Sequence, residues 1–224
     1  LVWFSMKLDP GTEHELKQER ITFTQIRSVL RLPAVWLLMV IILCAYVGYK
    51  ITDVFSLYAQ DVMCYDQVES AEVGTFLLFV RPVIGVLVGL LADRWQTTTL
   101  LFVSFVITFL GAFLFASGVI SESTTGLFLF SILVVASGVY AARCLYFAVM
   151  EKGRIPLALT GTAVGLISLA GYTPDIFAGP MMGYLLDHSK GEAGHQQVFW
   201  MLAGFSLVGG IAGWVYWRMN HIGA

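Results

Sequence analysis

Charge is what this 224-residue chain has least of: Asp, Glu, Lys and Arg together make up 12% of it, about half the ~25% usual in soluble domains. That supply cannot cover the surface of a water-soluble domain of this size. A basic excess is missing too. Thirteen Lys and Arg against 15 Asp and Glu leave a formal net charge of −2, which offers no electrostatic footprint for nucleic acid. Cysteine is confined to Cys44, Cys64 and Cys144, odd in number and far apart, so the chain carries neither a disulfide framework nor a zinc pattern. No Walker loop occurs. The nearest approach to a nucleophile elbow, Gly204-Phe205-Ser206-Leu207-Val208, lacks its second glycine and lies inside an apolar run. His14, His188, His195 and His221 are scattered between the apolar runs and are expected to be solvated loop residues. No enzyme chemistry, metal site or cofactor is expected.

What remains is apolar: 58% of the residues are hydrophobic, and with so little charge they must face a bilayer. A hydrocarbon core of about 30 Å needs about 20 mostly apolar residues in a helix. Six segments qualify: Pro33–Tyr58, Val73–Ala92, Thr99–Ile120, Leu127–Met150, Leu157–Leu186 and Phe199–Trp217. The fifth is too long for one straight crossing, and Pro174 and Pro180 are expected to break or bend it. The expected fold class is therefore an all-α membrane protein with six transmembrane helices. Basic residues favour the cytoplasmic side. An inside N-terminal segment puts Lys7, Lys17, Arg20, Arg27, Arg31, Arg94, Lys152, Arg154 and Arg218 in the cytoplasm and leaves only Lys190 outside. Trp36, Trp95, Trp200, Trp214 and Trp217 fall near segment ends, where the indole belongs.

The chain opens on Leu1-Val2-Trp3-Phe4, which reads as the last turn of a preceding span; nothing resembles a signal peptide. Residues 1–32 are then a span end plus a cytoplasmic linker, whose later part (Ile21, Ile26, Val29, Leu30) has the pattern of an amphipathic surface helix. Residues 33–219 form the bundle and 220–224 a cytoplasmic tail. The bundle contains a repeat. Gly85-x-x-x-Gly89-x-Leu91-x-Asp93 closes the second segment, and Gly179-x-x-x-Gly183-x-Leu185-x-Asp187 closes the fifth, 94 residues on. At the same offset Tyr46 falls on Tyr140, and Lys50 within one residue of Arg143. Three helices repeated once (about 33–120 and 127–217) give two units of opposite membrane topology. For any one of these glycine pairs, close packing of the small-xxx-small type is the competing explanation.

Ionisable groups inside a bilayer cost about 2.5–3.5 kcal/mol each even on lenient scales, so their default reading is functional. Lys50, Asp53, Arg81, Arg143 and Asp175 lie in segments one, two, four and five and skip three and six. Tyr46, Lys50 and Asp53 share a helical face at i, i+4, i+7, with Tyr49 beside them, and Lys50 is placed to pair with Asp53. Tyr140, Arg143 and Phe147 share a face in the fourth segment. The fork of Arg143 suits a carboxylate or phosphate, with pairing to Asp53 or Asp175 as the alternative. Arg81 either reaches the cavity or serves a charge pair. Around Tyr172, Thr173, Pro174 and Asp175 the helix is expected to unwind. Three cations against two carboxylates lean the cavity towards an anion, and Asp53 or Asp175 is a candidate for proton coupling.

The run Gly89-Leu90-Leu91-Ala92-Asp93-Arg94-Trp95 resembles the signature of the major facilitator superfamily of secondary transporters, Gly-x-Leu-Ala-Asp-Arg-x-Gly followed by basic residues. Gln96 replaces the glycine, and Thr97 and Thr98 replace the basic residues, as in the weaker copy of the C-terminal half. The resemblance implies the C-terminal six-helix half of a twelve-helix transporter, with nested inverted repeats and a cavity lined by four of the six helices. It further implies alternating access against an N-terminal half, a small polar solute as substrate and a possible coupling ion. Gly85, Gly89, Asp93 and Arg94 would form a conformational-switch loop, and the protein would sit in a bacterial inner membrane. The alternatives are a self-contained six-helix channel, a membrane-embedded enzyme, and a non-transporting sensor or assembly protein. No continuous polar stripe of the kind a channel pore needs is present.

Overall fold

Unbroken apolar runs rich in Leu, Phe, Val and Ala fold as helices because a helix satisfies its own backbone hydrogen bonds, which lipid cannot do. The computed structural model describes residues 23–151, 156–189 and 191–222, and among them there are helices and no strands. The Leu1–Phe4 span end, Lys7, Lys17, Arg20, Lys152, Arg154, Lys190, His14 and the side chain of His221 lie outside the described residues.

The helices are α1 (Phe23–Leu30), α2 (Pro33–Ile51), α3 (Val54–Asp61), α4 (Gln67–Arg94), α5 (Thr97–Ala116), α6 (Thr125–Glu151), α7 (Leu157–Gly171), α8 (Pro174–His188) and α9 (Glu192–Ile222). A 3-10 turn, Glu122–Thr124, precedes α6. The amphipathic α1 buries Val29 and rests on α7. Pro33 opens α2 at its first turn, where its missing N–H is no loss. Asp66 and Glu69 form a reciprocal capping box that starts α4 six residues ahead of the apolar run: the Asp66 side chain accepts from Glu69 N–H at 2.7 Å, and Glu69 accepts from Asp66 N–H at 3.1 Å.

Five stretches among the described residues are long and apolar enough to cross a membrane: Pro33–Asp61, Gln67–Arg94, Thr97–Ala116, Glu122–Met150 and Glu192–Met219. The fifth predicted segment differs. It forms two helices of 15 residues each, α7 and α8, separated at Tyr172-Thr173, as the fixed φ and missing N–H of Pro174 require. The break is a tight turn instead of an unwound stretch: Asp175 N–H reaches Tyr172 O at 3.1 Å and Ile176 N–H reaches Thr173 O at 2.9 Å. Pro180 is absorbed inside α8.

At the centre of the bundle α5 packs on α9 and α6, and α2 packs on α9, α7 and α6; α4 lies outside on α6, while α8 rests on α2 and α9. Two apolar clusters fill it. One joins Phe55, Tyr58, Phe115, Phe128 and Phe199, with Phe115 and Phe199 stacked at 4.4 Å. The other joins Ile41, Leu101, Phe105, Tyr146 and Tyr216. Close helix contacts run through Gly111 and Gly138: a Cβ on Gly138 would come within 2.7 Å of the Ser104 carbonyl on α5. The repeat glycines behave otherwise. Gly89, Gly179 and Gly183 have no neighbour within 4 Å of an added Cβ, and Gly85 meets only Cys144 Sγ at 3.6 Å. Small-xxx-small packing among the described residues therefore does not account for them.

His195 also departs from expectation. It is fully buried in α9, with Nε2 2.9 Å from Asp61 Oδ2 and the ring edge-on to Tyr58. A histidine that looks like a loop residue in sequence is internal because α9 starts seven residues before its apolar run, and α3 supplies a carboxylate at the right height.

Candidate functional site

The first span is broken where its charges lie. The helix interrupts at Thr52-Asp53 between α2 and α3. Thr52 Oγ1 donates to Tyr49 O at 2.7 Å, Thr52 N–H to the same carbonyl at 3.2 Å, and Asp53 N–H to Lys50 O at 3.3 Å. A threonine hydroxyl bonding back to the preceding turn is a known way to bend a helix. The α7–α8 break has the same construction, with Thr173 Oγ1 donating to Ala170 O at 2.7 Å. Polar contacts join the last turns of α2, before the first interruption, to Asp175, just after the second.

Lys50 Nζ lies 2.7 Å from Asp175 Oδ1, and Tyr46 Oη donates to the same carboxylate at 3.0 and 3.1 Å. The expected Lys50–Asp53 pair is thus replaced by Lys50–Asp175. The turn before α8 supplies the carboxylate that Lys50 holds, a partner that spacing along α2 alone does not reveal. Tyr172 caps this cluster, edge-on to Tyr46 at 5.1 Å.

On the other side of Tyr46 two guanidiniums share Tyr49. Arg143 Cζ sits 3.7 Å from the Tyr49 ring centroid and 5.1 Å from that of Tyr46. Arg81 Cζ is 4.8 Å from the Tyr49 centroid, and its Nη1 donates to the Tyr49 hydroxyl at 2.8 Å. Neither arginine forms an ion pair among the described residues, so the alternative of a pairing between Arg143 and Asp53 or Asp175 is not the one seen. Arg143 Nη1 is buried without a hydrogen-bond partner, a state that costs about 1–3 kcal/mol for a polar group and more for a charged one. The two cations, within about 9 Å of each other by way of the ring, repel by about 2 kcal/mol at an effective dielectric constant of about 20. Cation–π contact offsets part of this; an anion between them would offset more.

Beneath Arg81 lies a cavity of about 150 Å³ lined by Tyr49, Thr52, Asp53, Ser56, Arg81 and Tyr140, with Gly74 and two leucines of α4. Every predicted binding residue thus belongs to one connected region: Tyr46, Lys50, Tyr172 and Asp175 at the first cluster, Tyr49, Arg81 and Arg143 at the second, Asp53 and Tyr140 in the cavity. Phe147 lies outside it, its ring tilted against that of Tyr146 with centroids 4.4 Å apart. Thr52, Ser56 and Gly74 were not anticipated; a Thr-Asp pair in mid-span was the available signal for Thr52. No group of three or more potential metal ligands occurs among the described residues.

Gly85, Gly89, Asp93 and Arg94 need a correction of a different kind. All four lie within α4 itself, which runs to Arg94, and the connection to α5 is only Trp95-Gln96. The predicted switch loop is a helix end followed by a two-residue turn, with Trp95 N–H closing on Leu91 O at 2.9 Å.

An all-helical chain with spans of this length and an ionisable cluster inside them is an integral membrane protein. Its similarities agree. The chain is 24% identical over 193 residues to inner membrane protein YqcE of Escherichia coli (strain K12), a match covering 84% of this chain and 45% of that protein. It is 34% identical over 73 residues to inner membrane protein YihN of the same organism, covering 33% of this chain and 17% of that protein. The chain therefore spans less than half the length of the curated relatives it matches. No family model matches it.

Proposed function

We propose that this chain is the C-terminal six-helix half of a major facilitator superfamily transporter, moving a small polar anion by alternating access, with no covalent chemistry. The observation that carries the reading is the pair of guanidiniums around Tyr49, unpaired by acid among the described residues and with a buried donor left over on Arg143. A cluster kept only for stability would pair its charges; one that receives a solute keeps donors in reserve.

Helix packing supports the two-repeat architecture. Let α2–α3, α4 and α5 be the first unit, and α6, α7–α8 and α9 the second. Exchanging the units maps the α2–α9 contact onto α6–α5, and the α2 contacts with α7 and α8 onto α6–α4. In this reading α7 and α8 together make the fifth of six crossings, and the repeat-one and repeat-two boundaries are those of residues 33–120 and 127–217. Broken helices meeting at the charged site fit a transporter, whose solute and ion sites are built from discontinuous helices. The open glycine faces of α4 and α8 suit the approach of an N-terminal bundle, and the partial coverage of both relatives leaves room for one. The linker and C-terminus would be cytoplasmic, with Arg94 and Arg218 at that side.

Thermal stabilisation of the full-length protein, measured over sugars, sugar acids, organic phosphates and inorganic anions, tests the proposal. A response to anions that disappears in Lys50→Ala and Arg143→Ala is expected. A response unchanged in both variants, or confined to neutral sugars, overturns the anion site.

A further inference from the structure

Asp175 is placed strangely for a structural acid. Its carboxylate makes three contacts, all with donors of α2, at 2.7, 3.0 and 3.1 Å, yet its side chain keeps 45% of its surface exposed. Ion pairs this open are weak ties. The donors it occupies belong to a larger set. Lys50 Nζ and Arg143 Cζ stand 5.7 and 5.1 Å from the Tyr46 ring centroid, so three cations converge on two neighbouring tyrosines, and of the three only Lys50 has a carboxylate partner among the described residues. Its place in the chain adds a mechanical consequence. Asp175 sits in the first turn of α8, directly after the Tyr172-Thr173 break, and α8 carries glycines at 179 and 183 where an added Cβ would meet no neighbour within 4 Å among the described residues.

We propose that Asp175 is a built-in competitor for the anion: an entering solute takes Lys50 and the Tyr46 hydroxyl from its carboxylate, and the loss of that tether lets α8 pivot at Tyr172-Thr173. This rests on the transport reading above and adds to it which residue the solute displaces and which helix responds. A chain carboxylate and a solute carboxylate or phosphate present the same acceptor chemistry to an ammonium and a phenol, so they compete for the charge of Lys50 and for the single O–H of Tyr46. Binding is thereby coupled to movement, because the group displaced is covalently part of the helix released.

The test uses the purified full-length protein with inorganic phosphate and gluconate as separate probes. Asp175→Asn removes the competing charge and is expected to bind the effective probe about tenfold more tightly than wild type, equivalent to about 1.4 kcal/mol. Lys50→Ala is expected to lose binding. Equal or weaker binding by Asp175→Asn, with wild type binding normally, overturns the competition while leaving the anion site standing. Absence of binding to either probe in wild type and variant alike removes both. A measurement without any change at Asp175 guards against a misfolded variant: spin labels at the exposed Tyr184 on α8 and Ile211 on α9 are expected to change separation when the effective probe saturates. A fixed separation overturns the pivot.

Discussion

The first span and α4 are matched in length and in apolar content, yet 61% of the most apolar stretch of the first is buried inside the chain against 6% for the second. In a soluble protein that contrast would expose α4 to water and unfold it. In a bilayer lipid tails are as apolar as leucine, so no hydrophobic force sorts the helices into inner and outer ones. Interdigitation does the sorting: α2 and α3 present Ile41, Val47, Ile51 and Phe55 to packed neighbours, whereas α4 carries Phe79, Val83, Val86 and Leu90 outward and touches chiefly α6 and α3.

The contrast breaks most visibly under truncation. Phe55→Ala empties a fully buried ring position between Phe115 and Phe199 and is expected to cost about 3–5 kcal/mol, seen as a large fall in the melting temperature in detergent. Phe79→Ala on α4 is expected to change it by less than about 0.5 kcal/mol; comparable losses at the two sites would end the distinction between a packed and an unpacked span. Glycine substitutions sharpen it. Gly138→Ala forces a side chain into the backbone of α5 and is expected to destabilise by about 1–3 kcal/mol. Gly89→Ala leaves the melting temperature unchanged and, under the transport proposal, lowers uptake by the full-length protein; normal uptake would remove α4 from the moving interface. His195→Ala is expected to cost about 1–3 kcal/mol through the ring's lost contacts and the unpaired Asp61, read by the same melting assay. The smallest effect is chemical: Cys64 is exposed beyond the end of α3 and Cys44 is buried, so an impermeant maleimide applied to intact cells should modify Cys64 and spare Cys44. Modification of Cys64 only after permeabilisation would reverse the proposed orientation.

Much of the charged cluster is legible in the sequence. Lys50, Arg81, Arg143 and Asp175 stand out because an ionisable group in an apolar run is costly wherever the run packs, and Tyr46 and Lys50 share a face by helical period alone. Pro174 announced the α7–α8 break through its own covalent geometry. The Thr52-Asp53 break was harder, since threonine bends a helix only when its hydroxyl turns back to a carbonyl, a choice left to the surroundings. Lys50 was paired with the nearest acid along the helix, Asp53, because spacing is all a linear pattern offers. The burial of His195 is hidden for the same reason: hydropathy registers the polar residues beside it and is blind to Asp61, 134 positions away.

Composition and run length settled that the chain lives in a bilayer, roughly where it crosses, and which residues are too costly there to be incidental, since each of these follows from the transfer free energy of a residue and its near neighbours. Which carboxylate Lys50 holds, which arginines share Tyr49, and which of two equally apolar spans becomes the core were settled by the tertiary structure alone. Those outcomes depend on side chains brought together from different helices, beyond the reach of any one helical period, and in a solvent as apolar as the helices themselves only shape and charge complementarity can select among them.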